Sequence, residues 1–291
     1  MTFSISRSDA GQRARFAEEI AAVCGIRSES VLRAFRTVPR EDFLPPGPWA
    51  VEGMDGASFP SPDDDPVHIL HAVGVVLSRG GQHALHCANP APVAKALQTT
   101  GLIPGDRVLH VGAGLGYFSA IMAELVGPSG RVTAAEIDPE LAEAARRSLS
   151  PWPQVAVTGD ALSLAPAPYD VIFSSAGMAA IPPVWLDCLT VGGRMMLPLT
   201  GSNGSGFTFQ FQKSDDDRSL VAKLENFVRF YPCIGLRDSG DLALLDAALI
   251  DGCAPFVTAL RRDPHEAEPQ CWLHRDDYCL TMRPVGKSPT V

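Results

Sequence analysis

The 291-residue chain is 46% hydrophobic and carries 24 Lys and Arg against 33 Asp and Glu, a formal charge of −9. It can therefore bury a full core, and it is a poor partner for a polyanion such as duplex DNA or RNA. No apolar run approaches the ~18 residues of a membrane span, and the stretch from Met1 to Gly25 is charged and amphipathic rather than a secretory signal, which predicts a cytoplasmic protein. Seven cysteines (Cys24, Cys87, Cys188, Cys233, Cys253, Cys271 and Cys279) lack C-x-x-C spacing, so they read as buried thiols, with neither a metal site nor a disulfide framework expected.

Phe16, Ile20 and Val23 recur at helical spacing, and Gly25 is placed to stop that first helix. Ser28 opens a second, with Val31, Leu32 and Phe35 inward and Val38-Pro39 at its end. Pro45-Pro46-Gly47-Pro48 and the segment from Pro60 to Pro66, which contains Asp63 to Asp65, read as irregular, solvated loops. Residues 67–90 hold His68, His71, His83 and His86. The spacing of His83 and His86 suits a metal, but no carboxylate or thiol signature completes a ligand set, so these histidines read as surface or substrate-facing. Val93, Ala94 and Leu97 then begin a helix that Gly101 ends.

The chain is organised about residues 107–138. Val108, Leu109 and Val111 form a short apolar run ending in Gly112-Ala113-Gly114-Leu115-Gly116. Phe118, Ile121, Met122 and Leu125 follow at helical spacing, and Val132 to Ile137 is a second strand bearing Glu136 and closed by Asp138. This is a βαβ crossover whose acidic residue can accept hydrogen bonds from a ribose diol. The glycines allow positive φ and let a ligand lie on bare backbone. The G-x-G-x-G spacing, with Tyr117 next, favours S-adenosylmethionine (SAM) over the G-x-G-x-x-G ligand NAD. Asp138 and Pro139 then start a helix, Gln154 to Thr158 is a third strand, and Gly159-Asp160-Ala161 sets a carboxylate and a backbone N–H where an adenine ring can be bound.

Tyr169 to Ser175 is a strand apolar enough to be buried on both faces, and Ala176-Gly177 opens the loop beyond it. Trp185, Leu186 and Leu189 sit on a short helix, and Gly192-Gly193 leads into a strand from Arg194 to Leu199. Phe207, Phe209 and Phe211 alternate with polar residues, which predicts an antiparallel strand returning over Leu224 to Tyr231. Beyond it, Leu242 to Leu249 predicts a helix, Phe256 to Leu260 another, and Cys271-Trp272-Leu273 with Tyr278-Cys279-Leu280 a hairpin. The fold class is thus α/β, a doubly wound Rossmann-like sheet, mostly parallel with an antiparallel edge. N-terminal helices and acceptor loop (1–100), a SAM-binding core (101–235) and a small C-terminal α/β lobe (236–291) are the expected divisions. That lobe is a candidate dimer interface or active-site cover, and the oligomeric state stays open.

V-L-H-V-G-A-G-L-G-Y-F-S-A-I-M-A-E-L, A-E-I-D-P-E-L, Gly159-Asp160-Ala161, Y-D-V-I-F-S-S-A-G and V-G-G-R-M-M-L-P-L resemble the successive motifs of protein-L-isoaspartate O-methyltransferases. F-R-T-V-P-R-E-D-F-L-P (Phe35 to Pro45) and V-R-F-Y-P-C (Val228 to Cys233) are similar to that family's N-terminal signature and last strand, so the resemblance covers roughly residues 28–235. It implies SAM bound through Gly112, Ala113, Gly114, Gly116, Tyr117, Glu136, Ile137, Asp160, Ala161 and Ala176, and an acceptor side from Gly81 to Pro90 in which Gln82, His86 and Asn89 contact a carboxylate. Two departures stand out: the serine usual in that loop has no counterpart, and His110 replaces an acidic residue of the first motif. The acceptor is an isoaspartyl peptide or protein, or else a small carboxylic acid. A catalytically silent SAM-binding module is the third reading.

Overall fold

Short polar side chains and glycines set where the helices begin and end. Helix α1 (Ala10–Cys24) starts on Asp9, whose carboxylate accepts from the Gln12 N–H while the Gln12 side chain accepts from the Asp9 N–H, and it stops at Gly25 in left-handed backbone. Ser28 caps α2 (Glu29–Thr37). Strands β1 (Ala50–Glu52), β2 (Ser58–Pro60), β3 (Gly74–Ser78) and β4 (Leu85–Cys87) follow, then α3 (Pro90–Thr100), which begins on Asn89 and closes at Gly101. The alternating centre is β5 (Arg107–Val111), α4 (Tyr117–Val126), β6 (Arg131–Ala135), α5 (Pro139–Ser148) and β7 (Val155–Thr158). Next come β8 (Tyr169–Ser174), α6 (Pro183–Cys188), β9 (Leu189–Thr200), β10 (Ser205–Lys213) and β11 (Ser219–Arg229). The chain ends with α7 (Ser239–Ile250), β12 (Ala259–Arg261), β13 (Cys271–His274) and β14 (Cys279–Thr281).

The computed structural model describes residues 7–53, 56–78, 85–215 and 218–284. In residues 107–112 and 160–291 the strands run in the order β13-β14-β12-β11-β10-β9-β8-β5, and in residues 1–106 and 113–159 β6 lies beside β7. The pairs β6–β7, β5–β8 and β8–β9 are parallel, and every pair from β9 to β13 is antiparallel. None of the described helices is long and apolar enough to cross a membrane. The chain divides into two compact units, residues 1–106 with 113–159 and residues 107–112 with 160–291.

In the first unit, Phe16, Ala17 and Ile20 of α1 and Val31, Ala34 and Phe35 of α2 are buried. Val23 departs from the expected stripe and is exposed, because it falls in the last turn of α1, beyond that buried face. The loops expected at 45–48 and 61–65 lie outside any strand, but between and after them, where no strand was expected, the chain builds a second, four-stranded sheet, β2-β1-β3-β4, all antiparallel. Strands of three to five residues are too short to show a period-two pattern, which is why this sheet was not legible. Beneath it, the fully buried Arg40 guanidinium donates to the carbonyls of Ile69 at 2.6 Å, Val73 at 2.9 Å and Ala88 at 3.2 Å, gathering the ends of three segments on one side chain.

In the second unit, β8 has Val171, Ile172 and Phe173 buried, as a strand covered on both faces should. Strand β9 starts at Leu189, earlier than Arg194, and takes Gly192-Gly193 into itself as an irregularity in its pairing with β8. Residues 254–260 are not the expected helix: a 3-10 turn, Ala254–Phe256, precedes β12, which pairs with β11 and β14. A short apolar run cannot distinguish the two by pattern alone. The expected hairpin is β13 and β14, and it continues the antiparallel part of the sheet rather than standing apart as a lobe. Helix α7 is anchored to it where the Trp272 indole N–H donates to the Ala248 carbonyl at 2.8 Å.

Candidate active site

Each glycine of the loop after β5 answers a different demand. Gly112 (φ 74°) approaches the chain beyond β8 so closely that an added Cβ would stand 3.2 Å from the Cβ of Ala176. At Gly116 (φ 94°) a Cβ would be 2.8 Å from Leu149 Cδ1. At Gly114 (φ 56°) none of the described residues comes within 4 Å of where a Cβ would lie, so bare backbone is open to a ligand there. Its N–H donates to Glu136 Oε2 at 2.7 Å, and Glu136 Oε1 accepts from the Asp138 N–H at 3.0 Å. Glu136 is thereby fixed at the end of β6 at 7% exposure, while the neighbouring Ile137 side chain stands open at 43%. Ala113 donates its N–H to the Ala135 carbonyl at 3.0 Å, tying the loop to β6. Tyr117 is different from what the sequence suggests for a ligand contact: its ring is buried against Phe35 and Phe43 and lies under the Arg40 guanidinium, which leaves only its backbone to a ligand.

In the second unit, the Asp160 carboxylate accepts from the Leu162 N–H and the Ser163 hydroxyl, both at 2.9 Å, and so holds the turn that Ala161 opens. Past β8, the Ser174 hydroxyl donates to the Ala176 carbonyl at 2.8 Å. Gly177 is packed so tightly that a Cβ would collide with Thr200 Oγ1.

The residues expected on the acceptor side fare unevenly. Gln82 and His83 lie outside the described residues. His86 pairs with Glu52 at 3.7 Å. Asn89 is committed at both ends of its amide: Oδ1 accepts from the Ala91 N–H at 2.9 Å as the cap of α3, and Nδ2 donates to the Ala72 carbonyl at 2.6 Å. His68 Nε2 lies 2.7 Å from an Asp63 carboxylate oxygen and His71 Nδ1 2.6 Å from one of Glu19.

A family model described as Protein-L-isoaspartate(D-aspartate) O-methyltransferase (PCMT) matches residues 75–238. The protein-L-isoaspartate O-methyltransferase of Aeropyrum pernix is 35% identical over 229 residues, covering 77% of this chain and 79% of that one. That of Ignicoccus hospitalis is 35% identical over 214 residues, 72% of this chain and 90% of its own. The chain belongs to this family. It is accordingly a SAM-dependent carboxyl O-methyltransferase. A solved structure titled protein-L-isoaspartate O-methyltransferase superimposes with a TM-score of 0.64 at 27% identity, covering 81% of this chain and 69% of that one. A putative Plasmodium falciparum member in complex with S-adenosyl-L-homocysteine shares the fold, with a TM-score of 0.59 at 14% identity.

The residues fit the methyl donor of this methyltransferase family. Gly114 offers the open backbone that a ligand needs, and Glu136 is an ionisable acid held in place by two amides. His110, in place of the family's acidic residue, is fully buried with Nε2 2.9 Å from the Ser175 hydroxyl, and burial pulls its pKa from 6.5 down to about 3. The position therefore carries a neutral imidazole where a charge is usual.

Three supporting residues escaped the sequence reading. Arg40 lies inside the family-like N-terminal signature, so the signal was present but its partners, 29 to 48 residues away, were not. Arg237 donates to the carbonyls of Gly177 at 3.2 Å, Thr200 at 2.8 Å and Gly201 at 2.5 Å, bracing the loop after β8. Tyr278 of the C-terminal hairpin, 2% exposed, accepts from the Ile181 N–H at 3.0 Å on its hydroxyl oxygen and braces that loop a second time.

Proposed function

We propose that this methyltransferase esterifies the carboxylate of isoaspartyl residues in peptides or proteins, the acceptor that names its relatives. SAM is held through Gly112, Ala113, Gly114, Gly116, the Tyr117 backbone, Glu136, Ile137, Asp160, Ala161 and Ala176. The observation that carries this reading is the Gly114–Glu136 bond beside backbone open to a ligand. Each oxygen of Glu136 that takes one backbone N–H keeps a lone pair, and a ribose diol needs two acceptors of that kind. Ile137 supplies an exposed apolar face for a purine, and Asp160, already fixed by its own turn, supplies an acceptor for an exocyclic amino group.

The bound donor supplies an electrophilic sulfonium methyl group. A carboxylate is a competent nucleophile at neutral pH, so the chain's residues have to position an acceptor oxygen in line rather than remove a proton. The acceptor oxygen forms its bond to the methyl carbon as the sulfur–methyl bond breaks, leaving the ester and S-adenosylhomocysteine. His86 and Gln82 are assigned to the acceptor side, where each can donate to a carboxylate. Asn89, whose amide already caps α3, is assigned to the shape of that segment. A cytoplasmic setting accords with seven cysteines that are not paired in disulfides.

The test is product analysis. Incubation with SAM and an isoaspartyl peptide should give a peptide one methyl heavier, with the label on the isoaspartyl carboxyl by fragmentation and lost in mild alkali. A methyl group found on nitrogen, or on an ordinary aspartyl side chain alone, overturns the assignment.

A further inference from the structure

Four side chains of the second unit, none used by the methyl-transfer chemistry, converge at the far end of the sheet. His265 stands in the loop before β13, Cys271 opens β13, His274 ends it, and Cys279 opens β14, opposite His274 in the hairpin register. Their potential ligand atoms all lie within 4.8 Å of one another. A tetrahedral site with metal–sulfur bonds of about 2.3 Å and metal–nitrogen bonds of about 2.0–2.1 Å has edges of about 3.3–3.8 Å, so small side-chain rotations close this group onto an ion.

The surroundings are those of a ligand set rather than of an ordinary polar cluster. His265 Nδ1 lies 2.7 Å from the Asp263 carbonyl, to which it must donate, and this fixes the tautomer that leaves Nε2 with a free lone pair. That Nε2 is 3.5 Å from Cys271 Sγ. Cys271 Sγ also accepts from the Glu268 N–H at 3.4 Å, within a turn that the Cys271 N–H closes on the Glu268 carbonyl at 2.9 Å. The His265 and His274 rings meet edge to face with centroids 4.8 Å apart, and His274 Nδ1 is buried with no hydrogen-bond partner among the described residues. Packing two imidazoles and two thiols together with a buried nitrogen unpaired is costly unless something binds them all.

We propose that His265, Cys271, His274 and Cys279 form a four-ligand structural site for a zinc(II)-type ion. Two neutral imidazole nitrogens donate lone pairs, and the two thiols lose their protons to solvent as two metal–sulfur bonds form. Two sulfurs and two nitrogens suit a borderline-soft tetrahedral ion, and four protein ligands leave no open coordination position, so the site is a staple rather than a catalytic centre. It pins a hairpin at the end of the sheet, and Tyr278, which braces the loop after β8, is the neighbour of one ligand. The sequence pattern is H-x5-C-x2-H-x4-C, which carries no C-x-x-C and so went unread.

The test uses the full chain, purified without a metal-binding tag from zinc-supplemented culture. Elemental analysis should find about one zinc per chain, and a thiol-blocking mercurial should release it to a chelating dye. Cobalt(II) reconstitution should give thiolate-to-metal charge-transfer absorption. Cys271→Ser and Cys279→Ser should each lose the zinc and that absorption, while Cys188→Ser, outside the cluster, keeps both. If the cluster variants do not fold, mercurial release from the unaltered protein still decides the matter. Wild-type protein holding less than about a tenth of an equivalent of zinc and showing no cobalt charge transfer would overturn the proposal, as would a Cys271–Cys279 disulfide found by peptide mapping.

Discussion

Glu136 accepts a 2.7 Å hydrogen bond from the Gly114 N–H, so the acid that ends β6 and the open glycine of the loop after β5 are one structural unit. Replacing Glu136 by Ala removes the proposed ribose acceptor together with the loop's anchor. Charge-assisted bonds of this kind are worth about 1.5–3 kcal/mol each, so SAM affinity should fall at least about tenfold. Calorimetric titration checks this, and unchanged affinity would exclude Glu136 from the donor site.

His86 and Asn89 should separate by the kind of damage they do. Asn89→Ala removes the cap of α3 and the bond to the Ala72 carbonyl, and should cost ~1 kcal/mol or more in denaturant unfolding. His86→Ala should instead lower turnover on the peptide acceptor while SAM affinity stays the same. A His86→Ala enzyme at full rate would move the acceptor contact elsewhere.

His110 predicts a pH dependence of stability. The folded-state imidazole resists protonation down to about 3, while the unfolded one titrates near its ordinary 6.5, so the unfolded chain binds the extra proton. Its contribution is complete above pH 6.5 and is lost as the pH falls from there toward 3, with a slope of up to ~1.4 kcal/mol per pH unit. Unfolding free energies of wild type and His110→Gln, compared at pH 7.5 and ~5.5, should show the flatter slope in the variant. Equal slopes would contradict the buried, neutral assignment.

Tyr278→Phe tests the link between the C-terminal hairpin and the loop after β8. It deletes the hydroxyl that accepts from the Ile181 N–H and leaves that amide buried and unpaired, a cost of ~1–3 kcal/mol. The denaturant midpoint should fall with no change in the slope of the transition. An unchanged midpoint would mean that the hairpin does not brace the loop.

What the sequence disclosed and what it withheld divide by range. The loop from Gly112 to Gly116, Glu136 and the caps Ser28 and Asp138 are local: a glycine, a carboxylate and a helix start a few residues apart carry their own physical reason. The long-range partnerships were not legible. Nothing near Ala259 says that it will pair with Val221 and Thr281, so a strand looked like a helix and a sheet extension looked like a lobe. Arg40 looked like one charge in a signature until its carbonyl partners, contributed by two distant stretches at 69–73 and 88, were in place. His265 and Cys271 have ordinary spacing in the chain and acquire meaning only when β13 and β14 bring His274 and Cys279 beside them.

The most direct measurement is kcat/KM for methyl transfer from SAM to one peptide in two forms, isoaspartyl and aspartyl at the same position. The isoaspartyl form should be esterified and the aspartyl form left essentially unmodified, with Glu136→Ala losing the activity in parallel with its SAM affinity. Equal rates on the two forms, or SAM binding with no transfer to the isoaspartyl peptide, would contradict the account.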